Sequence, residues 1–173
     1  MSDRVYNVLF LSQRNSARSI LAQAILNSIG HGRFRTFSAG MRPAARLDPV
    51  ALDVLQHAGL RTTEYAPRHY AEFAGEAAPA LDFVFTLSDT AAGEPLPRWP
   101  GHPITAHWRC SDPLNFTPGS EEHRMSLRRT SAELERRLRL LMNLPLESLD
   151  RMSLQHSVDG IAAHETATSP PFT

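Results

Sequence analysis

The sequence predicts an α/β fold: a parallel sheet with helices on both faces. Three observations carry this. The chain opens on a near-continuous apolar run, strand and helix signals then alternate along it, and no apolar stretch reaches the length of a membrane helix. Strands separated by helices pair in parallel, because a crossover long enough to hold a helix brings the next strand back in the same direction.

Val5–Leu11 (VYNVLFL) is apolar at nearly every position, as in a strand covered on both faces. The polar segment Ser12–Ser19 (SQRNSARS) follows. In ILAQAILNSIG, Ile20, Leu21, Ala24, Ile25 and Ile29 recur at helical spacing and Gly30 fits a helix stop, so the chain begins strand, tight loop, helix. Arg33–Ser38 (RFRTFS) alternates polar with aromatic residues, a second strand broken by Ala39-Gly40. Asp48-Pro49 opens a second helix, with Asp as cap and Pro in the first turn; Val50, Val54, Leu55 and Ala58 form its apolar face up to Gly59. Asp82–Leu87 reads as a third strand and Ile104–Trp108 as a fourth. Between them, Thr90–Pro103 is rich in proline and glycine, which predicts a structured loop in place of a helix. Glu121–Met142 predicts a long helix with Leu127, Leu134, Leu138 and Leu141 as its stripe; its arginines and glutamates read as a solvated face with i,i+4 pairs. Leu149–Ile161 predicts a short final helix. Ala162–Thr173 is small, polar and carries Pro-Pro, so residues 1–161 are expected to form the domain and 162–173 a disordered tail.

Composition narrows the function. At 173 residues the chain is one domain, with 18 acidic and 18 basic residues and no net charge. That argues against a nucleic-acid or anionic-membrane partner, which calls for a positive excess. Every basic residue is an arginine, which excludes lysine Schiff bases and lysine-capped phosphate loops. The single cysteine, Cys110, excludes a disulfide framework and a multi-thiolate zinc site. The eight histidines are scattered, and His102 and His107 match no ligand spacing on one helix face, so neither a metal nor a cofactor is expected. The apolar run at the start is too short for a signal peptide; a cytoplasmic monomer or homodimer is expected.

The segment SQRNSARS, between a buried strand and an apolar helix, is where chemistry is expected. A loop wrapped at a helix N-terminus points several backbone N–H groups at one spot, and the helix dipole adds positive potential there. Arg18, in the first helical turn, can close over a tetrahedral oxyanion with its planar fork. Asn15, Ser16 and Ser19 can fix the loop by side-chain hydrogen bonds, and Gln13, Arg14, Ala17 and Ser19 complete the candidate contact set. Arg14 reads as a second guanidinium at the mouth or as a solvated side chain. The residues alone also allow an ordinary strand–helix turn capped by Ser16.

LFLSQRNSARSILAQAIL resembles the active-site loop of the low-molecular-weight protein tyrosine phosphatases, and among them the thioredoxin- or glutaredoxin-coupled arsenate reductases, which read cysteine, five residues, Arg, Ser. Asn15, Ser16, Ala17, Arg18 and Ser19 stand where that branch has them. Ser38-Ala39-Gly40, Phe83–Gly101 (FVFTLSDTAAGEPLPRWPG) and Ala106–Pro113 (AHWRCSDP) match as well, in order and spacing from residue 5 to about 160. The resemblance implies a three-layer α/β/α sandwich with a four-stranded parallel sheet and a pocket at the C-terminal ends of the strands. It also implies a general-acid role for Asp112, although Asp-Pro serves equally as a turn cap. Gln23 stands where the reductases often carry Glu near a cation.

The departures concern the thiols. Ser12 occupies the family's nucleophile position, where cysteine is expected. The two later cysteines of the reductases, eight positions apart, are replaced by Ser88 and Leu96. A thiol falls from a pKa near 8.5 to roughly 3.5–7.5 at a helix N-terminus among donors, whereas a comparable shift leaves an alcohol protonated at neutral pH. Arsenate reduction needs two electrons from thiols, and Cys110 alone forms no internal disulfide. Binding does not depend on the thiol. The expectation is therefore a catalytically silenced protein that holds phosphate, arsenate, sulfate or a phosphoryl group. The alternatives are an active phosphomonoesterase or reductase working through Ser12 or Cys110, or a Cys-to-Ser version of an active enzyme. Cys110 reads as inert packing or as a thiol near the pocket. Trp99 and Trp108 read as pocket wall or as core.

Overall fold

The computed structural model describes residues 4–167. Four parallel strands form one sheet in the order β2-β1-β3-β4: β1 (Tyr6–Ser12), β2 (Phe34–Gly40), β3 (Phe83–Thr86) and β4 (Ile104–His107). Among the described residues five helices accompany them: α1 (Arg18–Ile29), α2 (Pro49–His57), α3 (Asp89–Gly93), α4 (Glu121–Met142) and α5 (Arg151–Ala167). Single 3-10 turns occupy Tyr70–Phe73 and Pro113–Asn115.

Alternation along β1 divides the interior in two. Tyr6, Val8 and Phe10 enter the larger core, where α1, α2, α4 and α5 cover the sheet. Leu9 and Leu11 enter a smaller core closed by Phe73, Ala91 and Trp99. Fully burying side chains such as Phe10, Phe85 and Leu21 is worth about 1.5–3 kcal/mol each, which explains why the opening run tolerates so few polar residues. The α5 side of β4 is closed by hydrogen bonds from Gln155 Nε2 to Thr105 O (2.8 Å) and from Trp108 Nε1 to Val158 O (3.0 Å). Register places Ser12 beside Gly40, Leu11 beside Thr86, and Thr86 beside His107. The C-terminal ends of all four strands thus meet at one edge, where open α/β sheets place their ligand sites.

Three expectations shift. The Thr90–Pro103 loop overlaps a short helix, α3, because Ser88 caps it: its Oγ accepts from Ala91 N at 3.1 Å. The final helix starts after Asp150, whose Oδ1 accepts from Ser153 N at 2.7 Å, and continues to Ala167, past the expected tail boundary at 162; residues 168–173 lie outside the described residues. Val5 lies outside β1 and is exposed, and the strand runs on to Ser12. Among the described residues no helix is long and apolar enough to cross a membrane.

Candidate functional site

β1 ends at Ser12 and α1 begins at Arg18, so residues 13–17 make the turn between them. The segment 41–48 runs alongside and donates to it repeatedly: Met41 N to Ser12 O (3.1 Å), Arg42 N to Gln13 O (2.8 Å), Ala44 N to Arg14 O (2.9 Å) and Asp48 N to Ser16 O (2.9 Å). Within a peptide plane the C=O and the next N–H point opposite ways. Tying these carbonyls outward therefore turns the amides of Gln13, Arg14, Asn15 and Ala17 to the other side. Among the described residues, Asn15 N reaches Ser12 Oγ (3.2 Å), while the amides of Gln13, Arg14, Ser16, Ala17, Arg18 and Ser19 donate to no protein group. No side chain caps α1, whose N-cap residue is Ala17; the alternative of a turn capped by Ser16 is thereby excluded.

Asn15 fixes the bend. It adopts φ +51°, a left-handed conformation that Asn tolerates when its side chain is bonded locally. Its Oδ1 accepts from Arg68 N (2.8 Å) and its Nδ2 donates to Ser19 Oγ (2.8 Å). Ser19 Oγ lies 2.7 Å from Ser12 Oγ. Ser12 Oγ accepts from Asn15 N, and in the Ser12–Ser19 pair either hydroxyl can donate to the other. Gly40 is required beneath the bend: a Cβ there would lie 2.9 Å from both Arg14 C and Asn15 N.

Arg18 is buried, with Nη1 donating to Cys110 O (3.3 Å) and Nη2 lying 3.8 Å from Asp112 Oδ1. Burial lowers its pKa and the Asp112 carboxylate pulls the other way; a guanidinium stays charged throughout. Ser12, Gln13, Arg14, Asn15, Ser16, Ala17 and Arg18 line a cavity of about 40 Å³ that Asp48, Asp112, Pro113 and Leu114 complete. A single water needs roughly 10–15 Å³ of such volume, so the cavity suits a small polyatomic ion and not a drug-sized ligand. A larger cleft of about 510 Å³, beside Thr36, Ser38 and Arg68, contains none of these loop residues.

The predicted residues are largely brought together. Ser12 through Arg18 and Asp112 share one wall, whereas Ser19 stands behind it as a brace for Ser12. Asp112 both faces the cavity and caps the turn after it, accepting from Leu114 N at 2.9 Å. Cys110 offers its carbonyl to Arg18, while its thiol is buried and donates to Trp108 O (3.6 Å). The two tryptophans are core: Trp108 stacks on Phe85 at 3.9 Å, and Trp99 packs in the smaller cluster. Gln23 spends both ends of its amide on β2, donating to Thr36 O (3.1 Å) and accepting from Ser38 Oγ (2.6 Å). Leu96 packs at the margin of the smaller core.

Two features had no signal in the sequence. Asp48, read only as a helix cap, does cap α2 through Val50 N (2.8 Å), but its Oδ2 also meets buried His123 Nε2 at 2.9 Å. His123 Nδ1 accepts from Gly119 N (2.9 Å), so Nε2 carries the hydrogen and donates to Asp48, tying α2, α4 and the cavity wall together. The second is Asp89 at the start of α3. It takes His107 Nε2 (3.0 Å) and Arg109 Nε (3.0 Å), and the hydrogen bond from His107 holds its carboxyl below the usual aspartate range.

The sequence profile of the family described as low molecular weight phosphotyrosine protein phosphatase matches residues 7–155. A glutaredoxin arsenate reductase of Synechocystis sp. (strain ATCC 27184 / PCC 6803 / Kazusa) is 26% identical over 106 residues, 61% of this chain and 77% of that protein. Among solved structures, an arsenate reductase in the phosphate binding state superposes with a TM-score of 0.64 at 22% identity, covering 80% of this chain and 97% of the other. The arginine phosphatase YwlE, solved as a cysteine-to-serine mutant with its active site serine phosphorylated, superposes with a TM-score of 0.60 at 22% identity, covering 84% and 98%.

Proposed function

This chain belongs to the low molecular weight phosphotyrosine protein phosphatase family, and on that premise we propose that it binds a phosphate-type tetrahedral oxyanion in the Ser12–Arg18 loop without the thiol chemistry of cysteine-bearing members. The observation that carries the reading is the outward tethering of the loop carbonyls by segment 41–48, which leaves a set of amides and the Arg18 fork around one small cavity. Donors arranged before the ligand arrives need no reorganisation to hold it, and hydrogen bonds to an anion are roughly twice as strong as neutral ones. A structure of similar fold solved in a phosphate binding state supports the choice of ligand.

The surroundings of Ser12 support the silenced reading. Its hydroxyl contacts Ser19 and Asn15, and no histidine or carboxylate among the described residues bonds to it as a base. An alcohol without a base is a weak nucleophile. Two carboxylates, Asp48 and Asp112, also line the cavity; the first is engaged by Val50 and His123. Calorimetric titration with phosphate tests the reading. The unmodified chain takes up one phosphate, and Arg18→Met weakens uptake by about ten- to a hundredfold, the worth of a charged hydrogen bond. No uptake at millimolar phosphate would overturn it.

A second reading rests on one observation: in YwlE a serine placed in the active site carries a phosphoryl group. Ser12, at the nucleophile position, would then accept a phosphoryl group from a phosphate ester and retain it, its hydroxyl proton passing to the departing oxygen. Intact-mass measurement after incubation with a phosphate ester separates the two. A stable gain of one phosphoryl group, lost in Ser12→Ala, favours the second reading; an unchanged mass favours simple binding.

A further inference from the structure

We propose that Arg137, a buried arginine of α4, is a positioning residue for the oxyanion site: it sets Cys110, and through the Cys110 carbonyl it sets the Arg18 fork. The proposal rests on the binding reading above and extends it to the support behind the cavity wall.

The sequence groups Arg137 with the solvated arginines of α4, yet it is only 4% exposed. Its charge is balanced one turn back, where Nη2 donates to Glu133 Oε1. Nη1 donates to two consecutive carbonyls, Trp108 O (3.0 Å) and Arg109 O (3.0 Å), one hydrogen for each. In an extended chain consecutive carbonyls point opposite ways, so a single nitrogen that takes both holds the chain in a bend just past β4. The amides of this stretch are fixed by the end of β3: Trp108 N donates to Thr86 O and Cys110 N to Leu87 O, both at 2.8 Å. Arg137 Nη1 also lies 3.9 Å from Cys110 Sγ. Cys110 is thus held at its amide and its thiol, and its carbonyl is the group that meets Arg18 Nη1, at 3.3 Å.

That contact decides where the fork points. A guanidinium is planar, so an acceptor fixed on one nitrogen orients the whole group. Among the described residues Cys110 O is the one protein acceptor hydrogen-bonded to the Arg18 guanidinium; Asp112 Oδ1, at 3.8 Å, is a charge contact longer than a hydrogen bond. Two residues past Cys110 the chain reaches Asp112, which closes the cavity wall, so the bend at 108–110 precedes one wall residue and holds another. Arg137 itself does not line the cavity. Groups that lock a binding side chain in place govern affinity without touching the ligand.

The test is a double-mutant cycle of Arg137→Met with Arg18→Met, read as phosphate affinity by calorimetry on chains shown to be folded by circular dichroism. Arg137→Met should weaken phosphate uptake about tenfold, the worth of one hydrogen bond made by a charged group. In the Arg18→Met background the same change should cost less than about twofold, because the relay has lost its end. Arg139→Met removes an exposed pair with Glu135 from the same helix and should leave the affinity unchanged. In the chain without anion, the Arg18 Nε–H NMR signal should move in Arg137→Met and stay in Arg139→Met. If Arg137→Met fails to fold, Arg137→Lys, which keeps the charge against Glu133 but not the planar fork, takes its place. An unchanged affinity in the folded Arg137 variant, an equal loss in both backgrounds, an equal loss in Arg139→Met, or an unmoved Arg18 signal overturns the positioning role and leaves anion binding standing. No phosphate uptake by the unmodified chain overturns the binding reading and this one with it.

Discussion

Replacing Ser12 with cysteine should create an acidic thiol. A free thiol ionises near a pKa of about 8.5. Asn15 N donates to Ser12 Oγ at 3.2 Å, and the Ser19 hydroxyl at 2.7 Å is placed to donate to an anion at that position. A hydrogen bond to a charged acceptor is worth about 1.5–3 kcal/mol. At roughly 1.4 kcal/mol per unit, two of them lower the pKa by about 2–4. Burial opposes this, since the position is only 2% exposed and desolvation disfavours the anion. The net expectation is a thiol titrating at about 5–7, within the range of cysteines at helix N-termini. The assay is the pH dependence of alkylation by iodoacetamide in Ser12→Cys, corrected with the unmodified chain, whose only thiol is the buried Cys110. A midpoint at or above that of a free thiol would refute the convergence of donors on this position. The same variant should also gain turnover of a chromogenic phosphate ester, because Arg18 and Asp112 already share the cavity wall.

Three substitutions probe the supports. Gly40→Ala brings a Cβ within 2.9 Å of two backbone atoms of the loop; a loss of about 1–3 kcal/mol in urea unfolding together with weaker phosphate uptake is expected, and unchanged uptake would contradict the close approach. Asp48→Ala removes the cap of α2 and strands buried His123 Nε2–H, so it should cost roughly 2–4 kcal/mol in the same measurement, more than Asp112→Ala at a half-exposed turn; equal losses would contradict the role of the Asp48–His123 pair. Asp89 has a folded-state pKa depressed below 3.8 by the hydrogen bond from His107, with Arg109 adding to it. A depressed carboxylate contributes stability that is complete above the unfolded value and lost as pH falls through the folded one. Asp89→Asn should therefore flatten the acid side of the stability profile, read as the urea midpoint against pH; an unchanged acid limb would contradict the assignment.

Much of the frame was legible because it depends on local rules. The apolar run of β1, the Asp48-Pro49 opening of α2 and the leucine stripe of α4 each state one element through burial or capping. The loop itself was legible as polar chain between a buried strand and a helix. What the sequence did not disclose is long-range. No periodicity announces that segment 41–48 lies along residues 12–16, or that Arg68 N reaches Asn15, yet those bonds decide which way the amides face. His123 gave no signal because its partner is 75 positions away. The short helix α3 was hidden by the proline count that follows it, although Ser88 is a good cap. Trp108 is ambiguous as a residue type, since tryptophans both wall sites and fill cores, and only the stacking on Phe85 decides it.

The central claim is that the amides of residues 13–14 and 16–19 face a common anion site, while Asn15 N is held by Ser12 Oγ. The most direct measurement is an amide proton–nitrogen NMR spectrum of the unmodified chain titrated with phosphate. The account predicts saturable downfield shifts of the Gln13, Arg14, Ser16, Ala17, Arg18 and Ser19 amides, fitting one binding constant. Spectra that stay unchanged at millimolar phosphate, or shifts confined to other parts of the chain, would contradict it.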